Sequence, residues 1–217
     1  MISAARLSTI LAFLLIAGAV VPASAHAAPS KKGRCGLDRA TVVRGGVQAV
    51  VLKTAKGDLY GCWRKTQRRT RLLRMPRGPR FDYVVEATYL TLQGRFVGYE
   101  IVAGSSRDVY RYTLRIVDLK TGQNKHSVLP FDPEAFPEPG RRLGSVRQLL
   151  IARDGDATWF ARNLGMAASR PLQVYKVDRQ RSLLDAGPGV EARSLALTRT
   201  GTIYWTNSGQ ARSAQMD

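Results

Sequence analysis

Eight basic side chains fall within residues 64 to 80, namely Arg64, Lys65, Arg68, Arg69, Arg71, Arg74, Arg77 and Arg80, with no Asp or Glu among them. Guanidinium groups make forked hydrogen bonds to phosphate and carboxylate oxygens, so such a run suits contact with an anionic polymer. Pro76, Gly78 and Pro79 make its second half a loop rather than a helix. The competing reading is compositional. Arg outnumbers Lys by 26 to 8, as a GC-rich coding bias would produce, and a like-charged run can be a solvated strand and loop.

Acidic residues are sparse, 16 against 34 basic ones, for a net charge of +18. They are densest at Asp132, Glu134 and Glu138, inside Pro130–Gly140. Carboxylates attract calcium, but Pro133, Pro137 and Pro139 suit a rigid surface loop and the spacing matches no calcium motif, so no metal site is expected. Asp154-Gly155-Asp156 reads as turn chemistry. A Ser-His-Asp system would have to use His126, which lies beside a turn in Lys125-His126-Ser127 and reads as a surface histidine. There is no Gly-x-Ser-x-Gly elbow, no His-Glu-x-x-His and no phosphate loop.

The N-terminus carries Arg6, an uncharged apolar run from Leu7 to Val21, and small-residue cleavage positions at Ala25 and Ala27. This is the pattern of a secretory signal peptide over residues 1–27. The run is shorter than the ~20 residues that span a bilayer. Residues 28–217 are then expected to form a single domain, secreted or extracytoplasmic, with no membrane span after cleavage. Cys35 and Cys62 are the only cysteines. In an oxidising compartment they are most simply a structural disulfide. Export argues against nucleic acid, the usual partner of so basic a chain, and leaves anionic envelope polymers or a protein partner.

These residues need elements to hold them, and the sequence reads as hairpins. Ser194–Leu197, Gly201 and Thr202–Asn207 give strand, turn and aromatic-rich strand. Three weaker copies centre on Gly57, Gly94 and Gly155, at intervals of 37, 61 and 46 residues, near the ~40–50 of a propeller blade. Tyr110, Tyr112, Leu114 and Ile116 alternate with Arg111, Thr113 and Arg115, predicting a strand over Val109–Val117. Leu172–Val177 reads likewise. In both places an aspartate, Asp118 or Asp178, closes the strand and can accept from turn amides. Each repeat is thus expected to hold about four short strands. Thr41–Val43 or Val47–Leu52 is expected to complete the last blade and hide its edge.

Ile203-Tyr204-Trp205-Thr206-Asn207, after Ser194–Leu197, resembles the repeat signature of YWTD-type β-propellers, with Asn207 where that family has an aspartate. The resemblance covers residues 194–209. It implies antiparallel four-stranded blades with aromatics packed between neighbours, and family members that mostly bind other proteins. Those propellers have six blades, whereas this chain has room for about four. The expectation is therefore an all-β fold, a small or incomplete β-propeller of about four blades of antiparallel strands, with a homo-oligomer if the ring is incomplete. The expected function is a non-enzymatic binding module of the cell envelope, with no cofactor. The alternative is a lactonase-like metal-dependent hydrolase on a propeller scaffold, for which Glu86, Glu100, Asp154, Asp156, Asn163 and Glu191 are the candidate ligands, scattered without motif.

Overall fold

A hairpin requires a strand, a turn that tolerates left-handed backbone and a returning strand, and this chain repeats that unit. The computed structural model describes residues 35–76, 83–105, 111–131, 144–163 and 171–217. The expected signal peptide, Tyr110, Asp132, Glu134 and Glu138 lie outside the described residues, as do Arg77 and Arg80. No helix occurs among the described residues, so none is long and apolar enough to cross a membrane.

Among the described residues, fifteen strands form four antiparallel meanders, each built from consecutive strands. The first holds β1 (Thr41–Gly45), β2 (Ala49–Lys53), β3 (Leu59–Trp63) and β4 (Arg68–Leu73). The second holds β5 (Tyr83–Gln93), β6 (Phe96–Ser105), β7 (Arg111–Asp118) and β8 (Gln123–Val128). β9 (Gly144–Ile151), β10 (Ala157–Asn163), β11 (Leu172–Val177) and β12 (Arg181–Gly187) make the third. The last has β13 (Ala196–Leu197), β14 (Thr202–Asn207) and β15 (Gln210–Gln215).

Period-two alternation gives each inner sheet two apolar faces, and these join the sheets in chain order. On β6, Val97 and Tyr99 pack with Val51, Trp63 and Leu73 of the first sheet. Phe96, on the opposite face, packs with Leu149, Trp159 and Tyr175 of the third. On β10, Phe160 turns away from Trp159 to meet Ile203 and Trp205 of the fourth sheet. Close approach is made possible by Gly98, where a Cβ would lie 2.8–2.9 Å from side-chain atoms of Ile151, Leu149 and Ile116. The first strands of successive sheets also touch, β1 with β5, β5 with β9 and β9 with β13.

The turn aspartates act as their positions predict. Asp118 Oδ1 accepts from the Lys120 amide at 2.8 Å, and Asp178 Oδ1 from the Arg179 amide at 2.7 Å. Burial alone would raise the Asp178 pKa, but the Lys176 ammonium and two backbone amides outweigh it and hold it at about 2. Cys35 and Cys62 form the expected disulfide, with Cα atoms 6.0 Å apart. It lies with Val50 and Leu52 on the outer face of the first sheet and ties the arm before β1 to β3.

Two expectations are corrected. Gly94, Gly155 and Gly201 each lie between the first and second strands of a sheet, but Gly57 lies between β2 and β3. The position equivalent to the other three is Gly46, between β1 and β2. An apolar strand, a glycine and a following aromatic occur both at Gly57, in a second hairpin, and at Gly94, in a first one, so the pattern alone does not number the hairpins. Neither Thr41–Val43 nor Val47–Leu52 completes the last sheet. Thr41 pairs with Lys53, and Ala49 with Trp63, inside the first sheet, and the fourth sheet has three strands among the described residues.

Candidate cationic sites and the seam of first strands

The basic run begins in the β3–β4 turn and continues along β4, an outer strand of the first sheet. Arg64, Lys65, Arg68, Arg69, Arg71 and Arg74 are all exposed. The pleat divides the β4 arginines. Arg69 and Arg71 lie opposite Cys62 and Tyr60, on the disulfide face, and Arg69 Nη1 donates to the Gly36 carbonyl at 3.2 Å. Arg68 lies opposite Trp63, on the face toward the second sheet, where a Cβ on Gly122 would be 3.1 Å from its Nη2. The run therefore wraps a sheet edge rather than forming one flat stripe. An edge of charged side chains also resists pairing with another strand.

Other arginines have structural partners. Arg95 pairs with Asp118 at 3.3 Å and stacks over Phe96. Arg181 donates to the Leu129 and Phe131 carbonyls and lies over Tyr175. By contrast, the side chains of Arg64, Lys65, Arg68, Arg71 and Arg74 make no hydrogen bond or ion pair to another described residue. Composition alone does not separate these two groups, but partnering does.

A second cationic region follows the seam of the first strands. Arg44 Nε donates to the Leu90 carbonyl at 3.1 Å, and Arg147 Nη1 donates to Tyr89 Oη at 3.3 Å. Tyr89 has φ of 51° at a bulge between Thr88 and Thr91. A bulge of this kind re-aims a side chain, at a cost in backbone strain. Nothing in the spacing of the sequence marks that position. Beneath it, Glu100 is fully buried. Its carboxylate accepts from the Val146 amide at 3.0 Å, Thr88 Oγ1 at 2.9 Å and Ser145 Oγ at 3.3 Å. Burial raises its pKa despite these donors. Glu100 is thus an inter-sheet staple between β5, β6 and β9.

Beyond Tyr89, the ends of β5, β9 and β13 line an open cavity of about 530 Å³. Thr91, Gln93, Arg153 and Arg199 supply polar groups, and Leu150 and Leu195 apolar ones.

The acidic candidates do not converge. Glu86 and Glu191 are exposed, and Glu191 Oε1 accepts from the Gly209 amide. Asp154 Oδ1 accepts from the Asp156 amide at 3.1 Å, the expected turn. Asn163 pairs with Gly144 in the backbone ladder, and its side chain lies outside the described residues. Among the described residues, no three His, Cys, Asp or Glu side chains gather as a metal ion would require. His126 differs from expectation, because its side chain is only 9% exposed and Nε2 lies 3.2 Å from Asp156 Oδ1. Lys125 Nζ meets the same oxygen at 2.8 Å. Packing of the β8 edge against the β9–β10 turn covers a residue that turn chemistry alone would leave in solvent.

No family model matches the chain, and no curated protein does. Among solved structures, the crystal structure of the tricorn protease is similar at 10% identity and a TM-score of 0.22, over 73% of this chain and 23% of that one. This chain thus spans about a quarter of that protein's length.

Proposed function

We propose that the chain is a non-enzymatic binding module that works outside the cytoplasm, in the cell envelope, and contacts an anionic polymer through the β3–β4 edge. The observation that carries this reading is the group of exposed cations at Arg64, Lys65, Arg68, Arg71 and Arg74 without partners among the described residues. Cations held in solvent without carboxylates are available to an external polyanion. The disulfide and the N-terminal apolar run support an extracytoplasmic setting. The scaffold is read as propeller-like blades. The meanders packed face to face in chain order, with the first strands of successive sheets in contact, support this reading.

Binding of the purified full chain to polyphosphate and to polygalacturonate, across a salt series, tests the reading. Five phosphate-type contacts should lose roughly a hundredfold in affinity between about 50 and 200 mM salt. A variant with Arg68, Arg69, Arg71 and Arg74 changed to Ser should lose most of both affinity and salt slope. Binding indifferent to salt and to the variant would sink the polymer reading and turn the search to a protein interface built on aromatic anchors.

A further inference from the structure

The geometry points to a second, separate anion site in the cavity at the ends of β5, β9 and β13. Its ligand is a small polar molecule that carries a phosphate or carboxylate group. The cavity lies on the second, third and fourth sheets, whereas the β4 edge belongs to the first.

Three observations carry the inference. Arg153 and Arg199 both line the cavity, come from turns of different sheets, and have no hydrogen-bond or ion-pair partner among the described residues. Among the described residues, no carboxylate lines it. The neighbouring Asp154 uses Oδ1 to accept from its own turn, at the Asp156 amide. Two guanidiniums without a counter-charge, in a concave wall, focus positive potential and match an oxyanion by forked hydrogen bonds. Thr91 and Gln93 add a hydroxyl and an amide, and Leu150 and Leu195 an apolar wall, so the site can hold the body of a ligand as well as its charge. The volume, about 530 Å³, falls in the range of small-molecule sites, roughly 300–1,000 Å³.

Calorimetric titration of the full chain with glucose 6-phosphate, glucuronate and glucose separates the sources of charge while keeping the body constant. Binding of either acidic sugar, or both, with glucose much weaker, is the expected result, and the preferred one identifies phosphate or carboxylate. Arg153→Ser and Arg199→Ser should each weaken that binding roughly tenfold. Lys53→Ser with Lys56→Ser removes twice the charge of either arginine variant, elsewhere, and should leave it unchanged. The thermal midpoints of the arginine variants should match the parent, since both side chains are exposed and make no internal bonds. No binding of either acidic sugar, equal binding of glucose, or equal loss in the lysine variant would overturn the proposal.

Discussion

Asn207 Nδ2 donates to both carboxylate oxygens of Asp185, at 3.0 and 2.9 Å, so the last sheet is bonded to the outer strand of the sheet before it. Trp205 Nε1 donates to the same carboxylate at 2.7 Å, and the Ala186 amide at 2.8 Å. Burial alone would raise the Asp185 pKa, but these donors outweigh it and lower it. The carboxylate comes from β12, so position 207 must donate.

Asn207→Asp should therefore bring a second carboxylate against Asp185 and destabilise the fold by about 2 kcal/mol near neutral pH, with part of the loss recovered as acid protonates one of the pair. In the parent chain the sign is opposite. A carboxylate with a depressed folded pKa stabilises above its unfolded pKa, and that contribution is lost as pH falls through the folded value. Denaturant melts of both proteins across a pH series would read the crossing. Parallel pH profiles would show that Asp185 and position 207 are not coupled.

Glu100 carries the reverse sign. Its folded pKa is raised, so the fold loses stability as pH rises from the unfolded value near 4.3 toward the folded one. Glu100→Gln keeps an acceptor for the Val146 amide and removes the buried charge. It should flatten this part of the stability profile and match or exceed the parent at neutral pH. Glu100→Ala leaves a buried amide without its acceptor and should lose about 3 kcal/mol. Equal losses in both variants would contradict the charge argument.

Reduction of the Cys35–Cys62 bond, which closes a separation of 27 residues, should lower stability by about 3–4 kcal/mol on the chain-entropy account. Urea melts with and without reductant measure it. A parallel Cys35→Ser/Cys62→Ser variant should show the same loss and no further response to reductant.

The strands, their turn aspartates and the disulfide were legible because each depends on local chemistry. Tyr112, Leu114 and Ile116 alternate with polar residues, and all three are buried. Features that depend on which sheet meets which were not legible. His126 is covered by a turn some thirty residues away, and Glu100 is held by Val146, 46 residues on. Gly57 reads as the equivalent of Gly94, one hairpin out of step, because an apolar strand precedes each and aromatics follow. The cavity joins the ends of three strands remote in sequence, and its two arginines look like any others in a chain that has 26.

The chain-order packing of the sheets bears on how the molecule assembles. Among the described residues, every ladder joins neighbouring strands in sequence, and the apolar clusters unite adjacent sheets. Loops to be closed are therefore short, and a sheet gains its partner as soon as the next one emerges. Such a chain can fold progressively from the disulfide end, like a repeat array in which each unit templates its successor. The three-stranded fourth sheet leaves Tyr204 45% exposed on its outer face. With three strands among the described residues where the other sheets have four, it is the least supported, so amide exchange should be fastest in β13–β15 and slowest in β6 and β10.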